Sequence, residues 1–143
     1  MSVDPASLLR SLAQRLDDLG FAMWEESGAY PKSPGRPVVT VGKLPQNIVS
    51  AIALNHYFTD PDVDTVADNP LHYVQLRFRE PGPTPLTVID REQETFRLLQ
   101  STASGVWPGG VSPDTVTLSS AAPADPEDGA WTKTANYAIR LNP

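Results

Sequence analysis

The chain has 143 residues, 40% of them hydrophobic and 20% charged, and a formal net charge of −6. This is the composition of one folded domain, long enough to bury a core, and not of a disordered segment. It has no cysteine, which excludes disulfides, thiolate metal sites and a cysteine nucleophile. No apolar run approaches the roughly 18 residues of a membrane span. The opening MSVDPASLLRSLAQRL lacks a basic leader followed by an apolar stretch, so no secretory signal is expected.

The first element is a helix over about residues 5–19. Asp4 is suited to cap it, Pro5 fits its first position, and Leu8, Leu9, Leu12, Leu16 and Leu19 form one apolar stripe before Gly20 stops it. Residues 20–37 are read as a connection with a possible short strand near Phe21–Trp24 or Ala29–Tyr30. Its PKSPGRP stretch is too rich in proline to be regular. Val38–Val41 is a short β-prone run, Leu44–Pro45 marks a turn, and Ile48–Tyr57 reads as a strand buried on much of both faces. Residues 58–70 follow as a long acidic loop.

In Leu71–Arg79, Val74, Leu76 and Phe78 alternate onto one buried face, while Tyr73, Gln75 and Arg77 point the other way. A stiff EPGPTP linker leads to a second helix, about Leu86–Gln100, with Leu86, Ile89, Phe96 and Leu99 facing inward. Thr115–Ser119 is a strand, 121–129 a loop, and Ala130–Leu141 the last strand, with Trp131, Tyr137, Ile139 and Leu141 on one parity. A hairpin of the last two strands is expected. The order predicts a single two-layer α+β domain over residues 1–143. It would have a mixed, mostly antiparallel sheet of four to five strands with two main helices packed on it.

Charge is unevenly placed. Asp60, Asp62, Asp64 and Asp68 in 58–70, and Asp125, Glu127 and Asp128 in 121–130, have no base among them. The rest of the chain, with 11 bases against 10 acids, is nearly neutral and supplies no broad basic face for nucleic acid.

The search for chemistry returns little. Phosphate-binding, dinucleotide and nucleophile-elbow motifs are absent. The two histidines, His56 and His72, lie beside tyrosines in strands, and a partly buried or edge role outweighs a catalytic or metal one. Asp60-x-Asp62-x-Asp64 has the look of a calcium loop. Pro61, Thr65 and Leu71 break that pattern, so a solvated acidic loop is favoured. Glu25 and Glu26 are adjacent and on a strand would point to opposite faces, which does not make an acid–base pair. Trp24, Trp107 and Trp131 suit a core or interface better than a stacking platform. Catalytic, metal and cofactor-binding residues are thus read as none, and no cofactor is expected.

Several segments in order resemble a known family. They are the leucine-rich helix ending Leu19–Gly20–Phe21, then Val41–Gly42–Lys43–Leu44–Pro45, then Ala51–Ile52–Ala53–Leu54–Asn55–His56–Tyr57 with its Asp/Pro-rich loop. Val74–Gln75–Leu76–Arg77–Phe78–Arg79, a helix ending Arg97–Leu98–Leu99, and Trp131 to Asn136–Tyr137 complete the set. Together they resemble the tail terminator proteins of long-tailed phages, often described as minor capsid proteins. The chain differs from that pattern in its proline-heavy 80–86 and at Ala122–Asp125. The resemblance implies a non-enzymatic virion structural protein, assembled in the host cytoplasm and placed at the head–tail interface. It implies a homo-hexameric ring that caps the tail tube protein and meets the head connector or head-completion protein. DNA would pass through the ring without sequence-specific binding, and no membrane is involved. Asp60, Asp62, Asp64, Asp68, Asp125, Glu127 and Asp128 are then candidate pore or interface loops, and Trp107 and Trp131 candidate interface aromatics. Another phage head–tail joining protein is the near alternative. A small ligand-binding or enzymatic α+β domain is the alternative of another class.

Overall fold

The computed structural model describes residues 3–61, 70–101 and 105–142. Its first helix, α1 (Pro5–Asp18), begins where Asp4 accepts a hydrogen bond from the Ser7 amide at 2.9 Å, with Pro5 in the first turn. That bond also holds the exposed Asp4 carboxyl below its ordinary pKa. The helix ends in a Schellman turn: Phe21 N donates to Leu16 O, and Gly20 N to Asp17 O. Gly20 has φ 75°, a left-handed conformation that only glycine adopts without strain.

Five of the strands lie near their predicted places: β2 (Val38–Val41), β3 (Ala51–Asp60), β4 (Leu71–Pro81), β5 (Pro113–Ala121) and β7 (Ala130–Leu141). β1 (Met23–Trp24) falls at the first of the two places considered for a short strand, and β6 (Asp125–Glu127) lies in the predicted loop; together they raise the expected four or five to seven. At three residues β6 is too short to show an alternation, so periodicity could not separate it from loop. The sheet runs β1-β2-β3-β4-β7-β5, with β6 also on β7. The β1–β2 and β2–β3 pairs are parallel and the others antiparallel. The chain is an α+β protein, with two α-helices and a seven-stranded mixed sheet among the described residues.

Three boundaries shift for identifiable reasons. β3 starts at Ala51 and not Ile48, because the Ile48 and Val49 carbonyls accept from the Arg79 guanidinium and not from a strand. It continues to Asp60 because a bulge at Tyr57 resets the register, so part of the predicted acidic loop is strand. The predicted loop 121–129 contains β6, joined to β7 by Asp128–Gly129, so the hairpin of the last strands is longer than expected.

The core joins Leu8, Leu12 and Leu16 of α1 to Ile52, Leu54, Val74, Leu76, Phe78, Tyr137 and Ile139 of the strands. The second helix, α2 (Leu86–Ser101), adds Val88 and Leu99. Leu86 was expected to face inward but is 65% exposed. The buried line of α2 is Val88, Glu92, Thr95 and Leu99, whose helical spacing is hidden in the sequence by its two polar members. Glu80 and Arg91 tie α2 to the sheet at 2.9 Å, and Ser50 Oγ donates to the same Glu80 oxygen at 2.6 Å.

Candidate functional site

The expected site residues do not converge. Asp60 ends β3, exposed and paired with Leu71, while Asp62, Asp64 and Asp68 lie outside the described residues. Asp125, Glu127 and Asp128 are exposed on β6 and the turn after it. Glu127 pairs with Ala130, which pairs in turn with Pro81 at the far end of β4 from Leu71. At strand rise those ends stand about 30 Å apart. Asp60 and the 125–128 acids therefore mark opposite ends of the sheet and form no single acidic surface. Trp107 is 1% exposed and belongs to the core, which corrects its place among the interface aromatics. Trp131 is half-buried at the core margin, opposite Glu80.

Sheet edges are an obvious material for assembly, but most of their length is guarded here. One edge is β1, only two residues long, beyond which Asn55–Asp60 of β3 has no paired strand on that side among the described residues and is interrupted by the bulge at Tyr57. The other is β5 followed by β6, which carries Pro113, Pro123 and Pro126 and two irregularities in its pairing with β7. Short edges, prolines and bulges are what proteins use to prevent strand addition.

The outer face of the sheet, opposite the core, is built differently. There Ala51 pairs with Arg79, Ala53 with Arg77 and Asn55 with Gln75. β7 continues the rows with Thr132, Thr134 and Asn136. Two walls rise from this face. One is the 42–50 segment, pinned by a set of side-chain bonds. Arg79 donates to the carbonyls of Pro45, Ile48 (2.7 Å) and Val49 (3.0 Å), Asn55 Nδ2 to Gly42 O at 3.0 Å, and Thr40 Oγ1 to Lys43 O at 2.7 Å. The other wall is the β6 turn. Glu127 stands 3.9 Å from Arg79 and 4.0 Å from Arg77.

Between the walls lies an open groove of about 690 Å³. Ala53, Asn55, Gln75 and Arg77 line it from the strands, and Lys43 and Glu127 from the walls. Arg77 is half exposed, and its carboxylate partner among the described residues, Glu127, is at the limit of ion pairing. Lys43 is exposed and has no carboxylate partner among the described residues. Tyr57, 52% exposed, borders the groove, and its ring meets Tyr73, as does that of Phe58, also 52% exposed. The alternation of Tyr73, Gln75 and Arg77 already signalled an outward face. Nothing local to Lys43 or Tyr57 signalled that they join it.

The histidines do meet. His56 Nε2 and His72 Nδ1 are 3.2 Å apart, and Thr59 Oγ1 is 3.0 Å from the same His56 nitrogen. One imidazole donates and the other accepts, so at most one of the facing nitrogens carries a proton. Burial lowers the pKa of both, and for His72 the neighbouring His56 lowers it further. Among the described residues no group of three or more His, Cys, Asp or Glu is placed to hold a metal ion. Among the same residues no helix is long and apolar enough to cross a membrane. The arrangement is a polar groove with two outward cations and a rim of aromatics.

No protein-family model matches the sequence, and a comparison with curated proteins finds no match.

Proposed function

We propose that the chain is a virion structural protein of a long-tailed phage. It forms a ring that caps the tail tube and joins it to the head connector. The assembly half of this reading is carried by one observation, the groove on the outer face of the sheet. Its walls are fixed by the Arg79, Asn55 and Thr40 bonds, and its exposed groups are polar and aromatic. A domain whose helices share a core with one side of the sheet, in two layers, leaves the other side free for a partner. Subunits that dock head to tail close into a ring when the rotation between them closes. The tail half rests on the ordered resemblance from Leu19–Gly20–Phe21 to Asn136–Tyr137.

The test is incubation with purified tail tubes and with head connectors, followed by electron microscopy. The expected result is a ring at one end of the tube. Binding to the connector alone would move the protein to head completion. A protein that joins neither tube nor connector would overturn the reading.

A further inference from the structure

We propose that His56 and His72, with the Thr59 hydroxyl beside them, form a site for a borderline divalent cation such as Zn²⁺ at the end of the β3–β4 pair. Such a site goes beyond the ring reading and stands apart from it.

Strand geometry brings the donors together. Ile52 and Leu54 of β3 face the core, opposite Phe78 and Leu76, and His56 follows them opposite Val74. His72 lies on the same face of β4 as Val74 and Leu76. Regular alternation would turn Thr59 to the outer face. The bulge at Tyr57 resets the register, so Thr59 pairs with His72 and joins the histidines on the core side. Bulges re-aim side chains in this way beside functional sites.

The spacing fits a cation. The facing nitrogens, His56 Nε2 and His72 Nδ1, are 3.2 Å apart. That is toward the long end of the hydrogen-bond range. Two imidazoles on one zinc, with bonds of about 2.0–2.1 Å at tetrahedral angles, hold their nitrogens about 3.3 Å apart. A cation can therefore take the place of the proton between the rings when the rings turn, without parting the strands. That proton moves to the other nitrogen of His72, and both rings stay neutral.

Protonation favours the same use. The His56 ring also bonds its own backbone, which only Nδ1 can reach. A proton held on Nδ1 leaves the Nε2 lone pair free, and such a bond is what fixes the tautomer of a metal-ligating histidine. Burial lowers both pKa values, so both rings are neutral at pH 7, the form a metal requires. Imidazole nitrogens suit zinc, copper and nickel, whereas calcium and magnesium take oxygen ligands. His56 and Thr59 are only half-buried, which leaves one side open to water. The Thr59 hydroxyl, 3.0 Å from His56 Nε2, is placed to hold a water on the cation. Bound there, the cation cross-links β3 and β4 beyond the bulge.

The chain has only these two histidines and no cysteine, so a histidine-dependent site can be nowhere else. Calorimetry on the untagged chain follows Zn²⁺ binding, with Ca²⁺ and Mg²⁺ titrated in parallel. Zn²⁺ is expected to bind one to one, and Co²⁺ in its place to show the visible absorption of tetrahedral coordination. Loss of an outer-shell partner alone weakens a metal site by about 10- to 100-fold, so His72→Gln should weaken binding at least about tenfold. If that variant fails to fold, His56→Gln, at the half-buried position, reads the same loss. Wild type that binds no Zn²⁺ up to about 1 mM would overturn the proposal. So would variants that bind like wild type, or Ca²⁺ and Mg²⁺ that bind as tightly as Zn²⁺, since either result places the cation on carboxylates. Zn²⁺ binding by a protein that joins neither tail tube nor connector would remove the tail assignment and leave the metal site standing.

Discussion

Along β4, Val74, Leu76 and Phe78 are fully removed from water, while the residues between them, Gln75, Arg77 and Arg79, form the opposite face. The core face is held by apolar contact with residues of two helices and four other strands. The outer face is held by a few directed bonds, chiefly those from Arg79 to carbonyls 30 or more residues away. Contact of the first kind is spread over many neighbours and resists small changes. The second kind concentrates the positioning of a whole wall in one guanidinium, so a single substitution can remove it. The difference also sorts the faces by use: the dense one makes the fold, and the directed one shapes a surface.

The largest effect is expected on the core face. Phe78→Ala removes a ring with 0% exposure from the centre of the sheet. It should destabilise the protein by about 3–5 kcal/mol, read from urea unfolding followed by tryptophan fluorescence. A loss below about 1 kcal/mol would show that the core relaxes around the gap and would blur the contrast between the faces.

Arg79→Met should act more locally. It strips the Pro45, Ile48 and Val49 carbonyls of their shared donor, at a global cost of about 2 kcal/mol. The sharper readout is position. Amide exchange and proteolysis should rise across 42–50 while the strand amides around Leu54, Leu76 and Tyr137 keep their protection. Arg79→Lys should not restore the wall, since one ammonium lacks the planar fork that spans several acceptors. Uniform loosening of both faces would contradict the division of labour.

That division also explains what was legible in the sequence. Alternation over 71–79 and the leucine spacing of α1 identified the core face, because each residue's environment there repeats with the period of its own element. Asp4, Pro5 and Gly20 marked the helix ends through local chemistry alone. The groove was less legible, since Lys43 and Arg77 are brought together by the bonds from Arg79 to backbone carbonyls of a wall 30 or more residues away in sequence. The β6 hairpin had a local signal that the surrounding prolines obscured, the Asp128–Gly129 pair expected of a two-residue turn. Glu92 and Thr95 concealed the inward line of α2 because they are polar residues buried by tertiary contact. The two acidic loops read alike by composition, and only the register of β4 shows that Asp60 and Glu127 belong to opposite ends.

The smallest expected effect concerns pH, at the end of the core face where His72 is 3% exposed and His56 half-buried beside it. Both imidazoles have lowered pKa values, chiefly from burial. Above the unfolded histidine pKa of about 6.5 both states are neutral here and stability is at its full value. As pH falls through that value, the unfolded chain takes up protons that the folded pair still refuses, so stability declines until the folded pKa values are passed. The loss from pH 7.5 to 5.5 should stay below about 1 kcal/mol, because His56 keeps part of its hydration. Asp4 has its carboxyl held below the ordinary range by Ser7, so its titration lies at more acidic pH and leaves this interval to the histidines. Urea midpoints of wild type and His72→Gln at the two pH values check the assignment. The variant should lose most of the slope, since it removes one imidazole and relieves the charge that the other would face. An unchanged slope would place the pH response elsewhere, and the histidine pair would then be a packing contact like its neighbours along the core face.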